Sequence, residues 1–475
     1  MKEITVDSLK NYDNIQFVDL RDTKDFEKQT IGNAISIPLD DVSSKIFQLP
    51  KDKLICVFCA TGDWSIQVVE LLQDLGYNAV HLVGGFSAYM NYYNSKKDIY
   101  LDYSANTPVD KSVLDCYTQA TLEYYGNANS NHHMGKNSNA KISKATENIA
   151  NMLNVKPSEI IYTSGASESN NLAIKGITRI NRHSGKHILS TSLEHSSVSG
   201  TLTYLQENGY EIDLISITSD GTIDIENLKS LLRKDTILVC ICAVDSELGV
   251  VQPIDKIIEV LKDYPNCKLH VDATQIIGKS EFSFKGIDTV SFTAHKFYGL
   301  NSCGILYKNE DTILEPIIHG GKSTTIYRSG TPDVAMILSM EKALDIAINN
   351  LQSRFEHVSK LNRYLTDALK KYPLVRINST NKSVPHILNI SVKGVKSLVF
   401  QNALDNYGIC VSTKSACSVP NTPSRAVYEV SKDRKNALSS WRISLSHLTT
   451  MQDIEDFLKI FDICYKELTQ KGKNK

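Results

Sequence analysis

The sequence predicts two α/β proteins fused end to end, and three observations carry that prediction. Short apolar runs of strand length alternate with amphipathic helical stretches up to about residue 355. The alternation is broken once, by the polar stretch NYYNSKK of residues 91–97, which reads as a linker. The length of 475 residues allows about three folding units at ~150 residues each, so each part can bury an ordinary core.

In the first part IQFVDL, AISIP, LICVFC and AVHLVG read as buried strands, and SIQVVELLQDLGY, residues 65–77, as an amphipathic helix after one of them. Strands alternating with helices imply a small parallel sheet. IYLDYSANTP then opens the longer part. Its strands EIIYTS, HILSTS, ILVCICAV, KLHVDA and TVSFTA alternate with helices, and VPHILNISV and the helix DIEDFLKIFDICYKEL form a separate smaller lobe.

Composition narrows the function. Lys+Arg 52 against Asp+Glu 53 gives a net charge of −1, so no field attracts nucleic acid or an anionic membrane. Hydrophobic residues at 41% and charged residues at 22% describe a folded globular chain. The longest apolar run, Ile237 to Val244, falls far short of the ~20 residues of a membrane span. The start MKEITVDSLKNYDN has no apolar signal region. Ten cysteines are too sparse for a disulfide-stapled domain. The expectation is a cytoplasmic enzyme or interaction protein with reduced thiols.

The chemistry concentrates in the longer part. KLHVDATQ and TVSFTAHKFYG are β-rich runs that end in polar residues, which puts Asp272 and His295-Lys296 at strand exits. Open α/β sheets bind ligands outside those ends. A lysine to hold an aldehyde cofactor and an aspartate to pair with its ring nitrogen suit a pyridoxal phosphate site. Either residue alone would read as a surface charge. In EIIYTSGASESNNLAIKG a buried strand runs through Ser-Gly-Ala-Ser into a helix, whose start can bind an anion with Ser167 adding a hydroxyl; a plain N-cap serine is the ordinary alternative. His195 follows the strand HILSTS and is placed either structurally or to stack on a flat cofactor.

With LDYSANTPVD, TSGASESNN, EHSSV, DSELGVVQP, HVDATQ, TAHKFYG, HGG…YRSGTP, STKSAC and WRISLS in this order, the chain from about Tyr100 to the C-terminus resembles the NifS-like cysteine desulfurases. These are fold-type-I pyridoxal phosphate enzymes of the class V aminotransferase family. The resemblance implies a desulfurase region over 99–475. A large α/β domain with a mainly parallel sheet would cover about 113–355, and a smaller α+β lobe 99–112 with 356–475. It makes Lys296 the Schiff-base lysine, Asp272 the ring-nitrogen partner, Gln275 the residue that hydrogen-bonds the phenolic oxygen, and His195 the stacking ring that helps move protons. Ser167, Thr293, His295 and the backbone at Ala166 match phosphate contacts. Thr331 matches a threonine that reaches the neighbouring subunit's phosphate, which implies a homodimer. Arg442 matches the substrate-carboxylate clamp, a bidentate role suited to guanidinium. Cys417 matches the catalytic cysteine, and its Ser/Pro/Asn-rich surroundings have turn character. Cys240, Cys242 and Cys410 read as inert core thiols. Two departures stand out: Ser246 replaces the family's asparagine in DSELGV, and HGGKSTTIYRSGT departs from the usual glycine-then-polar run.

The first part, residues 1–94, resembles a rhodanese-like domain, on VDLRDTKDFEKQTIGNAISIPL, CATGDWS and HLVGGFSAY. Cys59 holds the persulfide-carrying position, before a helix start whose N–H groups favour a thiolate or persulfide. Trp64 stands where an arginine is usual, and Thr30-Ile31-Gly32 lacks the usual histidine. Losing that cation disfavours thiosulfate more than a protein-borne persulfide. Cys56-x-x-Cys59 has no second pair nearby to make a zinc site.

The function this implies is conversion of L-cysteine to L-alanine, with the sulfur left on Cys417 and relayed to Cys59 for a sulfur-acceptor protein. Iron–sulfur, thio-cofactor, tRNA-thiolation and selenium pathways all fit as destinations. The rivals are a selenocysteine lyase or other class V enzyme, and a weakly catalytic sulfur-carrier or scaffold protein.

Overall fold

The structure, a computed structural model, describes residues 3–12, 14–94, 98–414 and 422–470. The chain divides into two units: Met1–Ile99 with Leu404–Ile409 and Ile463–Lys475, and Tyr100–Ala403 with Cys410–Asp462.

The first unit is built on five strands in the order Glu3–Ile4, Ala79–Leu82, Leu54–Phe58, Ile15–Asp19, Ile35–Ser36, every pair parallel. Parallel strands are covered on both faces, and the central strand shows it, with Ile55, Cys56, Val57 and Phe58 all fully buried. Its side chains alternate between two cores. Ile55, Val57 and the following Cys59 join Val68, Val69 and Leu72, whereas Cys56 and Phe58 join Ile31, Val80 and Leu82.

Three expectations need correction here. AISIP yields only Ile35–Ser36, and Ile35 is 37% exposed, because this strand is the sheet edge and pairs on one side. The helix expected at 65–77 is Asp63–Asp74, started by Gly62 at φ 97° and stopped at Gly76 by its left-handed φ of 82°. The linker expected at 91–97 belongs, over its first four residues, to the helix Gly85–Asn94; residues 95–97 lie outside the described residues. Its tyrosines explain the extension, since Tyr89 and Tyr92 share one helix face against the Phe58 core.

The second unit holds a seven-stranded sheet in the order Ile160–Thr163, Gly304–Lys308, Thr289–Thr293, Lys268–Asp272, Thr236–Cys242, His187–Ser190, Glu211–Leu214. All neighbours are parallel except that Gly304–Lys308 runs antiparallel to both of its own. Successive residues of Thr236–Cys242 again feed opposite cores, Val239 and Ile241 one and Leu238 and Cys240 the other. A three-stranded antiparallel sheet of Val375–Ile377, Ile387–Val392 and Ser440–Ser444 stands apart, with buried Trp441 stacked on Phe400 at 5.3 Å. The last helix is Met451–Gln470. The architecture is α/β, with mainly parallel sheets. Among the described residues no helix is long and apolar enough to cross a membrane.

Four parallel strands ending at Ser190, Cys242, Asp272 and Thr293 deliver their carboxyl ends to one edge of the large sheet. The loops leaving that edge carry the candidate site.

Candidate active site

A cavity of about 340 Å³ opens at this edge. Ala166, Ser167, His195, Asp272, Gln275, Thr293, His295, Lys296 and Arg442 all line it, together with Ser246. Residues expected from motifs scattered over nearly three hundred positions thus meet in one place.

Asp272 is the last residue of its strand and 5% exposed. One oxygen accepts from Thr274 N at 3.0 Å and the other from Asn170 Nδ2 at 2.9 Å. Asn170, wholly buried in the helix Ala166–Ile180, also donates to Ser197 Oγ at 2.8 Å, and its carbonyl meets His270 Nε2 at 2.9 Å and the Ser291 hydroxyl. Burial pulls His270 down to about 4, so the network is held by a neutral ring. The sequence reading missed Asn170, Ser197, Ser291 and His270. Apart from the Asn-Asn pair in SESNN, nothing local marks them, because the contacts join four chain segments.

His195 caps the helix Ser196–Glu207 through its ring, with Nδ1 accepting from Ser197 N at 3.2 Å and lying 2.9 Å from Ser197 Oγ. Ser197 Oγ already accepts from Asn170, so its own proton is free for Nδ1. Burial, reinforced by Lys296 and opposed by Asp272, lowers His195 below the usual imidazole range. The ring is therefore neutral with its proton on Nε2. Glu194 beside it is fully buried and pushed up to about 8 by burial, accepting from Thr191 Oγ1 at 2.7 Å and Cys242 N at 3.0 Å.

The strand Ile160–Thr163 turns through Gly165, at φ 144°, into the helix Ala166–Ile180. A Cβ on Gly304 would stand 2.5 Å from Gly165 Cα, so only glycine allows this close approach. Glu168, the acid in the first turn, is turned aside: it accepts from Ser164 N at 2.7 Å and pairs with Arg328 Nε at 3.0 Å. The helix start is left with the hydroxyls of Ser167 and Thr293 and with His295, whose Nδ1 lies 3.1 Å from Thr293 Oγ1. Burial, with Lys296 and Lys279 adding to it, holds His295 at about 4. An N–H cradle, hydroxyls, a cation-bearing lysine and a buried carboxylate form a donor set that fits an anionic aldehyde cofactor with a ring nitrogen.

Lys296 Nζ donates to Ser104 O at 2.9 Å and Ala105 O at 2.6 Å, which turns it toward the chain around LDYSAN. Gln275 Nε2 also donates to Ser104 O, at 3.0 Å. Arg442 is 1% exposed; it donates to Asp102 Oδ1 and to Ser246 O, each at 2.7 Å. The Ser246 carbonyl, which any residue supplies, anchors this guanidinium, so the departure from asparagine leaves the anchor intact.

Thr331 does not line this cavity. It borders a second one, of about 410 Å³, with Ser164, Cys303 and Arg328. Cys417 lies outside the described residues. Cys240 and Cys242 are buried, and burial pushes both thiols well above their usual range. Cys410 is only half-buried, a correction to its reading as core, since its two-residue strand covers it poorly. No disulfide joins any two of the nine described cysteines.

In the first unit Cys59 follows the strand Leu54–Phe58 and is 5% exposed. Its Sγ accepts from Gly62 N at 3.2 Å and lies 4.0 Å from Ser65 Oγ. The loop is closed by Phe86 N donating to Cys59 O and Ser87 N to Ala60 O. Cys56 points to the opposite core, and burial pushes it up to about 12. Asp19 and Arg21 of the VDLRD run form a clamp: Arg21 Nε and NH2 donate to the two Asp19 oxygens at 3.0 and 2.7 Å, and the guanidinium lies 3.6 Å from the Phe86 ring centroid. Trp64 is 56% exposed.

Comparison with known proteins agrees with this geometry. The class-V aminotransferase family matches residues 99–457, and the rhodanese-like domain family matches residues 5–92. The chain is 35% identical to a cysteine desulfurase IscS of Dictyoglomus turgidum, over 78% of this chain and 96% of that protein. It is 37% identical to one from Vibrio cholerae, over 78% and 94%. Among solved structures, a NifS-like protein covers 77% of this chain and 99% of its own at 35% identity and a TM-score of 0.73. SspA, solved in complex with cysteine, covers 74% of this chain and 100% of its own at 28% identity and a TM-score of 0.66.

Proposed function

Because the chain is an enzyme of the class-V aminotransferase family, in its NifS/IscS cysteine desulfurase branch with a rhodanese-like domain ahead of it, we propose that it uses pyridoxal 5′-phosphate to take sulfur from L-cysteine, leaving L-alanine. Sulfur would be carried first by Cys417 and then by Cys59. The observation that carries the reading is the convergence of Lys296, Asp272, His195 and Arg442 on one cavity.

The cofactor, when bound, supplies an electron sink for the substrate's α-carbon. The chain's residues do the rest. Lys296 would hold the cofactor, Asp272 would pair with its ring nitrogen, and Ser167, Thr293, His295 and the Ala166 N–H would take its phosphate. Thr331, set apart from the cavity, is assigned to the site of a second copy in a homodimer. Arg442 binds the substrate carboxylate through N–H groups not used by Asp102 and Ser246. Lys296 and His195 divide the proton work. His195 Nδ1 is occupied by Ser197, so its free atom is a donor, and the base for the α-proton is the Lys296 amine. The Cys417 thiolate then attacks the substrate sulfur. An S–S bond forms as the substrate's C–S bond breaks, the carbon keeps the electron pair and is protonated, and L-alanine leaves.

The test is alanine release from L-cysteine by purified holoprotein. Lys296→Ala should lose both this activity and the borohydride-trapped cofactor peptide. Cys417→Ser should keep the trapped cofactor yet lose turnover by ~10²-fold or more, since a hydroxyl attacks sulfur far less well than a thiolate. Full alanine release by Cys417→Ser would favour a lyase, and trapping on another lysine would overturn the site.

A further inference from the structure

We propose that Lys279 is a positioning residue of the cofactor site, fixing the Gln275 amide with its nitrogen toward the cofactor's phenolic oxygen. The inference rests on the reading of the cavity as a pyridoxal phosphate site.

Gln275 and Lys279 are both buried, at 5% and 8% exposure. Lys279 Nζ donates to Gln275 Oε1 at 2.6 Å, and Gln275 Nε2 donates to Ser104 O at 3.0 Å. Lys296 Nζ donates to the same Ser104 carbonyl at 2.9 Å. The lysine that would hold the cofactor and the glutamine that would touch it thus share one acceptor, and Lys279 stands directly behind the glutamine. The turn that carries Lys279 is fixed as well. Gly278 has φ 75°, and a Cβ there would stand 2.8 Å from Phe297 Cβ, the residue after Lys296.

An amide can present either end, and here both neighbours choose the same one. A backbone carbonyl can only accept, so it demands the nitrogen; burial, with Lys296 and Arg442 adding to it, holds Lys279 well below the usual lysine range, and its head, ammonium or amine, still has N–H bonds to give to the oxygen. A flipped amide would set two oxygens together at Ser104 and N–H groups against Lys279. With the nitrogen fixed toward Ser104, its second N–H remains for the cofactor oxygen. Among the described residues no carboxylate pairs with Lys279. The charged and titratable groups around it are Lys296, Arg442, His295 and His386, with Arg354, His447, Tyr103 and Tyr298 lining the same small cavity, and none is a carboxylate. A buried lysine that is half of no ion pair is uncommon, and ordinary packing would be met better by methionine. Its hydrogen bond to Gln275 is what sets it apart from such filling.

The readout is the pH midpoint of the holoprotein's visible absorption band. A donor on the phenolic oxygen stabilises the oxygen's anionic form and favours loss of the proton shared with the lysine nitrogen. Lys279→Met leaves Gln275 Oε1 buried without a donor and frees the amide to turn, so the midpoint should rise by about one pH unit. Lys279→Arg keeps an N–H donor to Gln275 Oε1 and should titrate as wild type. Lys279→Gln, which can donate or accept, should fall between, and serves if Lys279→Met yields no folded holoprotein. In a Gln275→Met background, Lys279→Met should add no further shift. A variant whose denaturation midpoint moves while its spectral midpoint stays at the wild-type value would leave Lys279 a packing residue and overturn the proposal. Borohydride trapping on wild type separates the two failures. Cofactor absent from Lys296 sinks the underlying reading, whereas cofactor on Lys296 with an unmoved Lys279→Met midpoint sinks only this inference.

Discussion

The molecule uses the same device twice, a parallel strand that ends in a short loop and then a helix, and the two copies differ in what occupies the helix start. In both, a glycine with positive φ makes the turn, Gly62 at 97° and Gly165 at 144°. In the first unit the loop closes on itself. Gly62 N donates to the Cys59 sulfur, and the helix begins with Asp63, whose carboxylate accepts from Thr61 Oγ1 at 2.6 Å. In the second unit the first-turn acid, Glu168, is drawn aside by Ser164 and Arg328, and the helix start opens with Ser167 onto a cavity of about 340 Å³. One start gives a backbone N–H to the Cys59 sulfur and carries its own acid. The other offers N–H groups to a multi-oxygen anion. The motif supplies the donors, and the packing around the loop decides what they serve.

The largest expected contrast separates the two occupants outright. After a pulse of sulfur-labelled cysteine, label should reach Cys417 first and Cys59 second. Cys59→Ala should abolish label on the first unit while alanine release under strong reductant stays within about twofold, because no alanine-forming step uses that sulfur. Label that never reaches Cys59 in the intact protein would make the first unit a docking module. A smaller effect distinguishes the two glycines. A Cβ at Gly62 would lie 2.9 Å from Gly84 N, whereas at Gly165 the nearest atom is Thr293 Oγ1 at 3.8 Å. Both substitutions strain φ, but only Gly62→Ala also drives into backbone. It should cost its unit ~2–3 kcal/mol in urea unfolding against ~1 kcal/mol for Gly165→Ala. Equal costs would mean that the closed loop relaxes as freely as the open one.

The smallest effect is set by pH. Burial holds His270, His295 and His447 at about 4 and His386 at about 3, all in the second unit. Unfolded imidazoles titrate near ~6.5, so below that value the unfolded chain binds more protons than the folded one. This stability is complete above about 6.5 and is lost as pH falls toward 4. Glu194, raised to about 8, has the opposite sign: its contribution is present below its unfolded value and fades as pH rises through 8. Asp245, raised by burial to about 6, acts with Glu194, so four imidazoles stand against two carboxyls, and the urea midpoint of the second unit should still fall between pH 6.5 and 4.5. Buried Trp441 can report it in a Trp64→Phe background, which leaves a single tryptophan. A flat midpoint across that window would refute neutral burial of these rings.

Much of this was legible in the chain. Runs such as ILVCICAV, KLHVDA and TVSFTA are too apolar and too short to be anything but doubly covered strands, and strand polarity places Asp272 and Lys296 at one edge. The errors fall where local pattern and packing diverge. AISIP has strand composition but sits on an edge with one partner, and NYYN reads as polar until Tyr92 turns inward beside Tyr89.

By itself, then, the sequence determined the alternation of elements, the two-part organisation, and the identity of the lysine, aspartate, histidine and arginine that converge. The elements and the lysine, aspartate and histidine at strand exits follow from local periodicity and residue types, whereas the arginine, inside the strand Ser440–Ser444, was legible only through the family resemblance. Only the tertiary structure decided which polar groups hold them. Asn170 joining Asp272 to Ser197 and His270, Asp102 steering Arg442, and Lys279 set behind Gln275 are contacts between segments distant or differently oriented in the chain. The reason is physical. A buried polar atom must find a partner wherever the fold brings one within about 3 Å, and sequence spacing carries no record of that distance.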